Sequence, residues 1–107
     1  MPHVEFVLNQ LGGRDPLLAS RFEREIEDAA ASLGPLRLRC RILAWQRGLD
    51  VGSRDRVTIL LHAAGWVKAL GASVHAGPGE VRAAVLRALS ARPTRVAASA
   101  ATPAGVL

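Results

Sequence analysis

A chain of 107 residues, half of them apolar, can bury one modest core, so a single globular domain is expected of it. The net charge of +5 is uneven: residues 1–34 hold three Arg against six acids, a net −3, while residues 35–107 hold ten Arg and Lys68 against three acids, a net +8. One cysteine, Cys40, rules out an internal disulfide and a multi-thiolate metal centre, and no run reaches the roughly 18 consecutive apolar residues that span a bilayer.

"VEFVLN", Val4 to Asn9, alternates Val4, Phe6 and Leu8 with Glu5, Val7 and Asn9, the pattern of a half-buried strand. "LGGR" breaks it. Asp15 before Pro16 reads as an N-cap and first helical residue, and a helix follows through "LLASRFEREIEDAAASL" to a stop at Gly34 and Pro35. Leu18, Phe22, Ile26 and Leu33 share its apolar face, leaving Arg21, Arg24, Glu25 and Asp28 outside.

"LRLRCRILAW" is the second strand, with Leu36, Leu38, Cys40, Ile42 and Ala44 on one side and Arg37, Arg39, Arg41, Leu43 and Trp45 on the other. After the polar connection "QRGLDVGSRD", "RVTILLH" forms a third strand and "WVKALGASV" a fourth, separated by the turn "AAG". The fourth places Trp66, Lys68, Leu70, Ala72 and Val74 on one side. Val67, Ala69, Gly71 and Ser73 occupy the other, small enough for a helix to pack closely on them. A second helix starts near Pro78, buries Val81, Ala84, Val85, Ala88 and Leu89, and stops at Pro93. The domain is expected to span residues 1–92, and the small-residue, Pro-containing tail 93–107 to be disordered.

The order β-α-β-β-β-α predicts an α+β two-layer sandwich: a parallel first pair joined through the helix, two antiparallel additions, and both helices on one face of a four-stranded sheet. The other face is left open. It collects Arg37, Arg39, Arg41, Trp45, Thr58, Leu60 and His62, and the fourth strand can add Trp66 and Lys68. Guanidinium forks bind phosphate bidentately and stack on bases, and indole rings give flat stacking platforms. Two other readings compete for the same surface: arginines simply solvated, or a dimer seam in which Leu43, Leu60, Leu70 and Val74 are rimmed by the arginines.

The remaining reactive side chains suggest no catalysis. His3, His62 and His75 lack metal-ligand spacing, and Cys40 lies on the core side, where a thiol is a small inert hydrophobe. Neither a metal nor a cofactor is expected. "GPGE", Gly77 to Glu80, precedes a helix N-terminus, a place that can hold an anion, but it has no Gly-rich nucleotide fingerprint and reads as a helix cap. Glu23, Glu25, Glu27 and Asp28 read as a solvated helix face.

The succession "VEFVLN", "RDPLLASRFEREIEDAAASL", "LRLRCRIL", "DRVTILLH", "WVKALGASV" and "GEVRAAVLRAL" resembles the ribosome hibernation-promoting factor family, also called the ribosome-associated inhibitor family, over residues 3–92. Its Pro-started first helix and the "VRAAVLRAL" helix after strand four carry the likeness. The resemblance implies the same β-α-β-β-β-α fold and binding to the small ribosomal subunit where messenger and transfer RNA would sit, silencing translation in stress. It also implies a basic region between strand four and the second helix, where this chain offers only Arg82 and Arg87. Its charge is instead concentrated on strand two and the loop after it, at Arg37, Arg39, Arg41, Arg47, Arg54 and Arg56. No counterpart of the C-terminal dimerisation domain of long-form members is expected.

These readings lead to a non-enzymatic, cytoplasmic, bacterial protein that binds small-subunit rRNA by occlusion. Arg37, Arg39, Arg41, Arg54, Arg56 and Lys68 are the expected phosphate contacts, Trp45 or Trp66 is the expected stacking group, and Arg82 and Arg87 are further expected RNA-binding residues. The alternative is a protein-interaction or homodimerisation module that uses the open sheet face without RNA. The N-terminal "MPHVEFVLNQ" lacks the basic and apolar regions of a secretory signal, which is the ground for the cytoplasmic expectation.

Overall fold

The computed structural model of the chain describes residues 4–43 and 56–93. The elements are β1 (Val4–Asn9), a short 3-10 turn (Gln10–Gly13), α1 (Pro16–Ala31), β2 (Leu38–Leu43), β3 (Arg56–Ala63), β4 (Trp66–Ser73) and α2 (Glu80–Ser90). Trp45, Arg47 and Arg54, and the tail beyond Pro93, lie outside the described residues.

α1 begins where the sequence signals it. The Asp15 carboxylate accepts from the Leu18 amide at 3.0 Å, and Pro16, which has no N–H to leave unsatisfied, takes the first turn. Phe22, Ile26 and Ala29 recur at helical spacing and are fully buried. At the other end Ser32 closes the last turn, its amide and hydroxyl both donating to the Asp28 carbonyl at 3.1 and 2.9 Å. α2 starts at Glu80, later than Pro78, because Glu80 folds its carboxylate back onto the Gly77 amide and fixes the preceding turn.

The strands form one mixed sheet in the order β1-β2-β3-β4. β1 runs parallel to β2, as a strand-helix-strand connection requires, while β3 and β4 add antiparallel. Gly65 (φ +69°) supplies the left-handed residue of the β3–β4 turn. Leu38, Cys40 and Ile42 of β2 and Val57, Ile59 and Leu61 of β3 point to one side. They join Phe22 and Ile26 of α1 and Val81, Val85 and Leu89 of α2 in a single buried cluster, so both helices cover the same face. This is the expected two-layer α+β sandwich, held mainly by that apolar layer, each large side chain contributing about 1.5–3 kcal/mol on burial.

β1 departs from simple alternation. Its register slips between Phe6 and Leu8, so Val7 forms a bulge. Leu8 then pairs beside Arg41 on the open face, against the expectation that it would share a side with Val4 and Phe6, and Asn9 pairs beside Ile42. There the Asn9 amide donates to Glu23 at 2.6 Å and its carbonyl oxygen accepts from Gly12 at 3.1 Å. The slip gives β1 a polar stop that ties it to both the turn and α1.

Cys40 is fully buried in the sheet's apolar layer. Burial pushes its thiol from 9.0 up to about 12, with the Glu23 carboxylate adding to the effect. The unfolded chain therefore loses this proton first, binds fewer protons than the folded chain between those values, and becomes relatively favoured as pH rises. Urea titrations across pH 9 to 12 should show stability falling by up to about 1.4 kcal/mol per pH unit from this thiol. In Cys40→Ala that component of the slope should vanish.

Candidate nucleic-acid interface

The strand register decides which proposed contacts stand together. On the face away from the helices, Glu5, Arg39, His62 and Val67 form one row across the sheet, and Leu8, Arg41, Leu60 and Ala69 form the next. Leu43, Thr58 and Gly71 follow, with Arg56 and Ser73 at the end. Arg39 and Arg41 are exposed because alternate β2 residues are committed to the core. With His62 and the bulged Val7 they line a depression of about 260 Å³. Arg37, just before β2, continues their side and is also exposed. Arg39 Nε stands 3.3 Å from Glu5, both side chains well exposed, so the pair is readily opened by a competing phosphate.

Arg56 reaches in another direction. Its guanidinium lies over Gly71 of β4, one Nη 3.3 Å from the point where a Cβ would stand. The absence of a side chain at Gly71 is what lets the cation approach the sheet edge.

Trp66 and Lys68 do not belong to this face. Lys68 pairs with Leu61 and Leu70 with Ile59, both core positions, so Trp66, Lys68, Leu70 and Ala72 lie on the helix side. The small residues Val67, Ala69, Gly71 and Ser73 face outward instead, reversing the expected packing of β4. Trp66 and Leu70 pack against the core only in part, at the last described strand of the sheet. The same placement removes Leu70 and Val74 from the dimer seam, since both pack against the helix-side core.

Trp66, Lys68 and Arg87 instead gather in a groove of about 380 Å³ between β4 and α2. Arg82 joins neither surface. It is half-buried on α2 and donates to the Ser32 hydroxyl at 3.1 Å, tying α2 to the end of α1. The proposed contacts thus split into an open-face group (Arg37, Arg39, Arg41, with Arg56 at its border), a groove group (Trp66, Lys68, Arg87) and Arg82 apart.

The acidic face of α1 is less solvated than its charge suggested. Glu27 and Asp28 are exposed, but Glu25 is nearly enclosed and accepts the Arg82 amide at 3.0 Å, with Arg21 Nε at 3.3 Å. Arg21, expected outside, is half-buried and donates to the carbonyls of Ala76 and Gly77. Glu25 therefore occupies the N-terminal end of α2, where Gly79 offers no capping side chain. This is why the "GPGE" turn is not a vacant anion site: a carboxylate from α1 already fills it.

Burial alone would raise the Glu25 pKa, but the amides of Arg82, Gly79 and Val81 and the charge of Arg21 bring it below 4.5. The unfolded chain takes up that proton first as pH falls. Stability from Glu25 is thus present above about pH 4.5 and lost as pH drops through the lower folded value. Glu25→Gln should lower stability at pH 7 by about 1–2 kcal/mol and flatten the acid limb of the stability curve, measured by urea titration from pH 7 to pH 3.

Among the described residues there is no group of three or more His, Cys, Asp or Glu side chains able to hold a metal ion, and no helix is long and apolar enough to cross a membrane. Protein-family models, curated proteins and solved structures were compared with the chain, and none matches it.

Proposed function

We propose that this chain is a non-enzymatic RNA-binding protein of the ribosome-hibernation type, which acts in the cytoplasm of a bacterial cell by covering small-subunit rRNA with its open sheet face. The carrying observation is the pair Arg39 and Arg41: exposed, two residues apart on a face that neither α1 nor α2 covers, and lining a depression with His62. A sheet held rigid by its buried layer presents these forks at fixed spacing, which suits an array of phosphates better than mobile loop cations would. Arg37 and Arg56 extend the same cationic border, and the +8 charge of residues 35–107 draws a polyanion toward it. Inhibition then needs no chemistry, only occupation of RNA that a translating ribosome must use.

One observation favours a second reading. Leu8 and Val67 are 43% and 64% exposed on the same face, with Leu60 half-buried between their strands. These apolar positions, with Arg41 between Leu8 and Leu60, suit a second copy of the chain. The two readings separate in one comparison of solution mass and rRNA binding. For RNA binding, the protein is monomeric, binds a small-subunit rRNA fragment in low salt, and keeps its mass in Leu60→Glu. A dimer broken by Leu60→Glu, with no RNA bound, overturns the proposal.

A further inference from the structure

The groove between β4 and α2 contains a combination that neither the core nor the open face uses. Trp66 stands at one end with its ring only partly covered, and Leu70, Ala84 and Ala88 form an apolar floor. Lys68 and Arg87 flank it, both exposed, and neither has a hydrogen-bond or ion-pair partner among the described residues. Among the described residues no acidic side chain lines it. The groove continues along the seam through Leu70, Ala84 and Arg87 into a second hollow of about 250 Å³, where Arg56 arrives from the open face across Gly71. Among the described residues Glu80 is the one acid there, and its carboxylate is committed to the Gly77 amide.

We propose that this groove binds an unpaired nucleotide of a single RNA strand, the base stacked on Trp66 and the adjoining phosphates held by Lys68 and Arg87, with Arg56 guiding the strand around the β4 edge. The choice of an RNA strand as ligand rests on the RNA-binding reading above; the groove itself stands on its own geometry. An aromatic ring beside two unpaired cations and a shallow apolar floor matches a base with its phosphates. Stacking on Trp66 selects the unpaired form, because a base inside a duplex cannot present its face to an indole. Among the described residues β4 is the last strand of the sheet, and no described strand pairs with its outer edge, which leaves room for the sugar-phosphate chain. The open face then supplies long-range attraction and the groove supplies preference for single strands.

The test uses Trp45→Phe, which leaves Trp66 as the only tryptophan, and follows its emission together with the anisotropy of a labelled RNA. The probes are a ten-nucleotide oligouridylate, the same length of duplex RNA, and uridine monophosphate. Saturable quenching of Trp66 by the oligouridylate is expected. The duplex should leave the emission unchanged, and the mononucleotide should bind at least about tenfold more weakly than the ten-mer, which engages further phosphates. Lys68→Glu and Arg87→Glu, both at exposed positions, should each weaken the quenching response about tenfold.

Rising anisotropy with unchanged Trp66 emission would overturn the groove while leaving the open-face reading intact. Quenching that is indifferent to reversal of Arg39 and Arg41 would support the groove and count against the open face. A mononucleotide that binds as tightly as the ten-mer would overturn the strand-gripping assignment in favour of a free nucleotide.

Discussion

The double variant Arg39→Glu/Arg41→Glu is expected to lose about 10²-fold in affinity for rRNA at 0.1 M salt while keeping the fold. Both side chains leave the sheet on the face away from α1 and α2, so reversing them breaks no core packing, and surface substitutions of this kind usually change stability by within about 0.5 kcal/mol. A hydrogen bond to a charged group contributes about 1.5 kcal/mol at the low end, and two of them amount to about 10² in affinity. The salt slope should become shallower as well, by about 0.7 for each single-strand phosphate that the protein no longer neutralises. Glu5→Gln provides the opposite change: it frees Arg39 from its 3.3 Å partner and should strengthen binding. Fluorescence anisotropy over a salt series measures both effects, and a loss of affinity with an unchanged slope would mean the arginines act through shape rather than charge.

Phe22→Ala is expected to be the most damaging single change to the fold. Phe22 is completely buried at the centre of α1 and belongs to the one cluster that joins both helices to β2 and β3. Removing its ring costs about 3–5 kcal/mol, part from lost transfer energy and part from the cavity left behind. Domains of this size have about 5–15 kcal/mol in total, so the variant should unfold in much less urea. Leu17→Ala serves as the matched control, since Leu17 is 85% exposed at the start of the same helix and its loss should leave the urea midpoint in place.

The fold was legible because each buried element announces its period. In β2 the strict exchange of Leu, Cys and Ile with Arg leaves only one side that can enter a core, and in α1 the Phe22, Ile26, Ala29 spacing does the same. β4 was not legible in this way. Trp66, Leu70 and Ala72 on one side and Val67 and Ala69 on the other are both apolar enough to pack, and only its pairing with β3, Leu70 beside Ile59, decides between them. The same pairing moved Trp66 and Lys68 off the open face and into company with Arg87, which lies far from them in sequence. The bulge at Val7 sent Leu8 outward, a one-residue slip that alternation cannot foresee.

Glu25 is a comparable case. On a helical wheel it is one acid among several, and its role depends on where the start of α2 is carried by the tertiary packing. A glycine at the N-cap of α2, with no side-chain oxygen to offer, was the one local sign that a partner from elsewhere was needed.

Occupation of ribosomal RNA by the cationic sheet face is tested most directly by co-sedimentation with purified 30S and 70S particles across a salt series. Stoichiometric pelleting with 30S particles is expected at low salt, with steep release as salt rises and no pelleting of Arg39→Glu/Arg41→Glu. Protein that stays in the supernatant at the lowest salt, or pellets equally with and without those two arginines, would contradict it.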